Sequence, residues 1–194
     1  MGEPGNTLDD ATESDDKRVA LLIAILALFL ALSETGAKKA EHHSTEKNIE
    51  ASDLYNFYQA KKARSTTIET AAKAFEALAP TVTDEKAKDA VEKQLGEWKA
   101  AVAKFEKDPK KPEDSLEKIQ DRATEASEER ELWNKRLEHF EFASGALQIS
   151  IVLASAGIIT GVAALAWVSG LLGLVGVVLM ALGYFAPTLL AFLG

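Results

Sequence analysis

The residue types best suited to chemistry lie in two polar segments, each beside a long apolar run. The first segment contains Glu41, His42, His43 and Glu46, which are possible metal ligands, and the second contains His139 between two glutamates. Adjacent histidines on a helix project about 100° apart, so the first pair would not chelate one ion well. We therefore expect a solvated segment rather than a metal centre, and a surface position for His139.

No pattern typical of an enzyme accompanies these residues. The sequence has no triad arrangement, no phosphate-binding loop and no cysteine, which excludes thiol catalysis and thiolate metal sites. The net charge of −8 and the lack of a basic patch argue against a nucleic acid partner, because phosphate binding needs a positive surface. We therefore expect a protein that is not an enzyme and has no catalytic residue, metal or cofactor.

Charge is divided sharply along the chain, because residues 142–194 contain no Asp, Glu, Lys, Arg or His. Residues 1–18 are acidic and poor in apolar residues, which is typical of a disordered tail. Residues 19–32 are continuously apolar, and a span extended to 37 approaches the roughly 20 residues that a transmembrane helix needs. A signal peptide is the alternative for 19–32, but the region before a signal peptide's apolar core is basic, whereas here it is acidic. We predict a disordered tail at 1–18 and a transmembrane helix at 19–37.

The polar region 38–141 is predicted to form a helical, coiled-coil-like domain outside the membrane. Apolar residues recur at spacings of three and four in three stretches that are separated by prolines. In the third stretch this pattern runs for more than three heptads and contains one charge, Arg130, which could fix the register of a helix pair. A chain that leaves and re-enters the membrane needs an even number of full-length helices here, whereas three are counted. Either residues 34–48 are extended or one helix lies crosswise.

The apolar C-terminal region is predicted to form two more transmembrane helices, at 142–167 and 170–193, with a turn at 168–170. Small residues recur in both at spacings that bring them to one face, and such faces allow close helix approach. These residues are Ser150, Ala154, Gly157, Gly161, Ala164, Gly173 and Gly176. Two interpretations stay open: the two spans pack on each other, or copies of the chain associate through this face together with Arg130.

The sequence thus predicts an all-α integral membrane protein with three transmembrane helices and a helical domain between the first and the second. Basic residues are more numerous at the domain side of the spans, where Lys38, Lys39 and Arg136 lie, than at the other side, where Lys17 and Arg18 lie. The positive-inside rule then places the domain in the cytoplasm.

Two segments carry a resemblance to a known family: NIEASDLYNFYQAKKARSTT at 48–67 and LEHFEFASGALQISIVLASAGIIT at 137–160. Together with KRVALLIA at 17–24, they resemble the bacterial family DUF4337, and the resemblance covers about residues 17–185. The residues that we single out in the segment 48–67 cover more than one helix face, which packing alone does not require. They are Glu50, Asp53, Tyr55, Tyr58, Gln59 and Lys61. Tyr55 stands where we expect tryptophan to be common in the family. The resemblance implies a bacterial inner-membrane protein and adds no catalytic residue.

The expected function is that of a membrane-anchored interaction or scaffold protein, with the lipid bilayer and further copies of the chain as partners. The alternative is a channel or transporter subunit in which the C-terminal hairpin lines a pore. The polar residues Gln148, Ser155 and Thr160 do not share one helix face and do not ionise, which argues against that alternative.

Overall fold

The computed structural model describes residues 6–189, with side chains from residue 16 onwards, and this part of the chain contains four α-helices and no strand. The helices are α1 (Asn6–Leu78), α2 (Glu85–Glu106), α3 (Leu116–Thr160) and α4 (Ala163–Phe185), with 3₁₀ turns at Ala79–Thr81 and Pro112–Asp114. The predicted all-α class is confirmed. By length and composition α1, α3 and α4 each contain a stretch that is apolar enough to cross a membrane.

Local chemistry explains where the helices end. Pro80 lies in the 3₁₀ turn that follows α1, because proline cannot donate the backbone hydrogen bond that would continue the helix. Asp84 is the N-cap of α2, and its carboxylate accepts a hydrogen bond of 3.0 Å from the Lys86 backbone N–H. Both features are local signals that the sequence itself carries.

The prediction of a disordered tail at 1–18 is wrong from Asn6 onwards, because α1 already begins there. Residues 1–5 lie outside the described part. No proline or glycine occurs between Asn6 and Gly36, and acidic residues near a helix N-terminus are favoured by the helix dipole. Residues 34–48 are helical as well, so the proposed extended path for them is also wrong.

The turn predicted at 168–170 lies instead at residues 161–162, between α3 and α4. Gly161 has a φ of 68°, a left-handed conformation that glycine adopts without strain and that ends the helix. Ser169 is fully buried within α4 and packs against α3. The spans predicted at 142–167 and 170–193 are thus α3 up to Thr160 and α4 up to Phe185, and residues 190–193 lie outside the described part.

The helices are divided between two compact units. Unit 1 contains the described residues up to Thr45 and those from Arg130 onwards, and unit 2 contains Glu46–Glu129. Both α1 and α3 contribute to each unit, whereas α2 belongs to unit 2 and α4 to unit 1.

In unit 2, α2 runs antiparallel to α1. The rings of Phe75 and Trp98 meet edge to face with their centroids 5.0 Å apart, and Lys61 lies 5.9 Å from the ring of Phe105. Residue numbers therefore fall along α1 as they rise along α2. The start of α3 continues in the same direction, because Glu129 lies beside Lys47, further back along α1.

The connection between α2 and α3 is therefore a through-connection and does not reverse the chain. In unit 2, α1 runs in one direction, and α2 followed by α3 runs in the other. This order satisfies the even count that the sequence requires, without any extended or crosswise segment.

In unit 1, α1, α3 and α4 pack through small residues. The small buried positions on α1 are Ser33, Gly36, Ala40 and Ser44, and those on α4 are Ser169, Gly173, Gly176 and Gly183. A Cβ added at Gly176 would lie 2.8 Å from Leu147 Cγ and 3.2 Å from the Ala143 carbonyl oxygen, so side chains of α3 occupy the space that glycine leaves.

We predict that Gly176→Ala lowers the stability of the folded chain by about 1–3 kcal/mol, because the added methyl group overlaps α3. Gly170→Ala is the matched control in the same helix, since a Cβ there meets nothing within 4 Å. Alanine favours helices more than glycine does, so the control is expected to have the same free energy of unfolding as the parent chain or one higher by up to about 1 kcal/mol. Its unfolding temperature should therefore be unchanged or higher. Thermal unfolding in detergent, followed by far-UV circular dichroism, compares the two. Equal stability of the two variants would contradict the assigned packing.

Candidate functional site

The segment 48–67 lies on α1 in unit 2, and two of its polar residues hold the helices of that unit together. Lys47, just before the segment, places its Nζ 2.9 Å from Glu50 Oε2 and 2.8 Å from Glu129 Oε2. The hydrogen bonds to Glu129 and then to Glu50 raise the pKa of Lys47 well above its usual range. Because Glu129 belongs to α3 and Glu50 to α1, one ammonium group joins two helices.

Lys61 joins three elements of the same unit. Its ammonium group donates a hydrogen bond to the backbone carbonyl of Asp114, which is in the second 3₁₀ turn. The same group lies 5.8 Å from the ring centroid of Phe57 on α1 and 5.9 Å from that of Phe105 on α2. Both distances are within the range of cation–π attraction. Lys61 thus connects α1, the end of α2 and the turn that begins α3.

The other residues of the segment divide between two faces of α1. Tyr58 is half-buried, whereas Asp53, Tyr55 and Gln59 are exposed. The segment therefore combines inward contacts with an outward polar and aromatic face. A binding role for the outward residues stays a prediction.

A cavity of about 170 Å³ lies around the Lys47 cluster and is lined also by Arg122 and Glu125. Both signs of charge line it, and two of its three glutamates, Glu50 and Glu129, form ion pairs with Lys47. Its chemistry is that of an ion-pair network between helices.

The histidines predicted as solvated have different environments. His42 is exposed, whereas His43 is half-buried and stacks on Trp133 of α3, with centroids 4.5 Å apart. The guanidinium carbon of Arg136 also lies 4.5 Å from the centre of the Trp133 ring. Among the described residues, no group of three His, Asp or Glu side chains is placed to hold a metal ion.

The surface position expected for His139 is wrong, because its side chain is only 4% exposed. Its Nδ1–H donates to the Lys135 carbonyl oxygen at 2.7 Å, and its Nε2 has no hydrogen-bond partner among the described residues. A Cβ at Gly183 would lie 3.0 Å from His139 Cβ, so the missing side chain on α4 makes room for the histidine. The spacing of 139, 143, 147 and 150 carried the signal, because it extends the inward face of α3 back to this residue.

The small residues singled out from the sequence fall into two groups. Ser150, Ala154 and Gly157 are buried on α3, and Gly173 and Gly176 are buried on α4. The Ser169 hydroxyl donates a hydrogen bond of 2.8 Å to the Ser150 carbonyl oxygen across these helices. The face is therefore occupied by contacts within one chain.

Gly161 and Ala164 do not belong to this face, contrary to the sequence pattern. Gly161 forms the turn after α3, a Cβ there would meet nothing within 4 Å, and Ala164 is exposed in the first turn of α4. Arg130 is half-buried on α3. A role for Arg130 in self-association stays a prediction.

Fold and polar clusters together define a class: an all-helical chain with three helices apolar enough to cross a membrane, held together by ion pairs in one unit and by small residues in the other. The chain belongs to the family described as Domain of unknown function (DUF4337), whose model matches residues 15–186. The family resemblance seen in the sequence is thereby confirmed. No curated protein and no solved structure matches the chain.

The Lys47 network makes a prediction about pH. A lysine with a raised pKa stabilises the folded chain fully below the ordinary lysine pKa of about 10.4 and loses that contribution as the pH rises through its folded value. We expect the parent chain to lose stability more steeply than Lys47→Met once the pH rises above about 10.4, as measured by chemical unfolding at several pH values on either side of this point.

Lys73→Met is the control for this experiment. Lys73 also has a raised pKa, because Glu69 accepts its hydrogen bond, but the pair lies within one helix and links no second element. Its removal is expected to change the pH slope less than removal of Lys47. Equal slopes for both variants would show that the network across the helices does not contribute.

Proposed function

We propose that the chain is a non-enzymatic, membrane-anchored interaction protein, in which unit 1 is the membrane anchor and unit 2 is the module that meets partners. The observation that carries the proposal is the distribution of apolar residues in unit 1. Large apolar side chains point outwards along its helices, as at Leu28, which is 60% exposed, and at Leu171 and Leu174. The inward contacts pair small residues with a few bulky ones, as at Gly176 and Leu147. This inside-out pattern is the one that a bilayer favours.

Polar groups inside unit 1 support an anchor rather than a transport path. Ser33 donates to the Phe140 carbonyl oxygen at 2.9 Å, so its hydroxyl is used between helices. Ser155 and Thr160 each donate to the carbonyl four residues earlier in α3, at 2.8 and 2.7 Å. Gln148 is exposed on the outside of the helix. These contacts give no row of polar groups for the channel or transporter alternative.

The proposed location is the inner membrane of a bacterial cell, with unit 2 in the cytoplasm. The family resemblance supports the membrane, and the excess of basic residues at that side of the spans supports the orientation.

Orientation is tested with one cysteine, because the chain has none of its own. Thr66 is exposed on α1 in unit 2, so we expect Thr66→Cys to resist an impermeant maleimide in intact spheroplasts and to react after lysis. Labelling before lysis would place unit 2 outside. Recovery of the protein from lysed cells without detergent would refute the membrane anchor itself.

The interaction part of the proposal includes self-association. The small-residue face of unit 1 is used within the chain, so unit 2 is the better candidate surface. On α1, Ile49 and Leu78 are 55% and 61% exposed, and Phe57 and Phe75 are exposed as well. Large apolar side chains exposed along one side of a helix are typical of a protein contact surface.

Single-cysteine variants test this surface. Native membranes that contain one variant each are treated with an oxidant. The variants are Ile49→Cys, Phe57→Cys and Leu78→Cys. We expect a disulfide-linked dimer from at least one of them. Lys62→Cys is the control, because Lys62 is exposed on another side of α1. Dimers at Lys62 but at none of the three would move the contact to another face. If no variant forms a dimer, self-association through unit 2 is contradicted.

A further inference from the structure

A cavity of about 400 Å³ opens in unit 1 beside the turn between α3 and α4. It exists because residues with little or no side chain meet there. Gly157 comes from the end of α3, Gly161 from the turn after it, and Ala163 and Ala166 from the start of α4. A Cβ at Gly161 would meet nothing within 4 Å, which shows how open the site is. Its volume is within the range of small-molecule sites, about 300–1,000 Å³.

The floor of this cavity is apolar. The parts of α3 and α4 that form it carry no Asp, Glu, Lys, Arg or His, since none occurs after residue 141. Ile158 and Val162 add branched aliphatic surface beside the glycines and alanines. Such a floor suits the glycerol and upper acyl carbons of a lipid, which need apolar contact and no charge.

The rim is polar and carries both signs of charge. Asp16 and Arg18 come from α1, two residues apart, and both are exposed. Trp167 comes from the second turn of α4 and is 77% exposed. An exposed tryptophan beside an arginine at the end of an apolar helix bundle is typical of the membrane–water interface.

The two charges select the ligand by complementarity. The Arg18 guanidinium suits a phosphate, to which it can donate two hydrogen bonds. The Asp16 carboxylate accepts hydrogen bonds and therefore suits a primary ammonium group. A headgroup with only negative charge would face Asp16 unfavourably, and a choline group has no N–H to donate.

We propose that this cavity binds a phospholipid with an ethanolamine headgroup. Its phosphate contacts Arg18, its ammonium group contacts Asp16, and its glycerol backbone lies on the floor beside Trp167. This inference rests on the proposed membrane placement of unit 1.

The test uses the full chain in vesicles of equal parts phosphatidylethanolamine, phosphatidylcholine and phosphatidylglycerol, followed by native mass spectrometry of the lipids that stay bound. We expect one retained phosphatidylethanolamine per chain, enriched about fivefold or more over the other two lipids, which corresponds to about 1 kcal/mol. Arg18→Gln should lose the retained lipid. Asp16→Asn should keep a lipid but lose the preference for ethanolamine over choline.

Two further variants separate the cavity from the general lipid surface. Ala163→Phe places a ring in the cavity and should displace the lipid, whereas Ala181→Phe adds the same ring at an exposed position of α4 outside the cavity lining and should not. Retention of phosphatidylglycerol in preference, or enrichment that none of the rim or cavity variants changes, would overturn the inference. Flotation with the vesicles is measured in parallel. A chain that floats without lipid preference contradicts only this inference, and a chain that does not float contradicts the membrane anchor as well.

Discussion

The packing of unit 1 depends on pairs in which a bulky side chain of one helix fills the place of a missing side chain on another. The pairs are Leu26 with Gly173, Phe140 with Gly36, and Leu147 with Gly176. At such separations only small hydroxyl side chains can also fit, and Ser33 and Ser169 donate their hydrogen bonds directly to carbonyl oxygens of α3. Dispersion contacts and these hydrogen bonds then hold the helices together. The apolar outer surface is thus left for the surroundings.

Unit 2 is held together in a different way. Its buried α1 positions are again small, at Ala51, Ser65 and Ala72, but long cationic side chains span the remaining distance between helices. Lys47 and Lys61 each bring one ammonium group to acceptors on two or more elements. Their aliphatic stems cover apolar surface while their charged ends stay partly accessible to water. Unit 1 therefore holds its helices together by close packing of small residues, and unit 2 does so with long cationic side chains that reach from one helix to another.

The sequence predicted the helices well, because their signals are local. Pro80 and Asp84 mark the end of one helix and the start of the next, and the apolar face of α3 is buried at Leu116, Ile119 and Ala123. The turn before α4 was misplaced because Gly161 and Gly170 look equivalent in sequence, and only the positive φ of Gly161 distinguishes them. The inward spacing of 139, 143, 147 and 150 indicates that His139 is buried, but the room for its side chain depends on Gly183, a residue on another helix.

The direction of α2 and the roles within the candidate site were similarly hidden. A proline-rich break does not reveal whether the chain reverses its direction. A count of three helices therefore conflicts with the even number of full-length helices that re-entry into the membrane requires. In the segment 48–67, periodicity indicated that more than one face carries unusual residues, and the structure separates inward Glu50 and Lys61 from outward Tyr55 and Gln59. Which outward residue meets a partner depends on that partner's surface.

The through-connection between α2 and α3 determines where this chain can change in length. Lys47 and Lys61 project from nearly the same side of α1, and each contacts a different part of the returning chain. One residue inserted between them would rotate the later part of α1 by about 100° and separate the two sets of contacts. An insertion at 107–111 lengthens only the connection, at a small entropic cost, and leaves both registers intact. During evolution, insertions and deletions should therefore accumulate in this connection, while the spacing along α1 stays fixed.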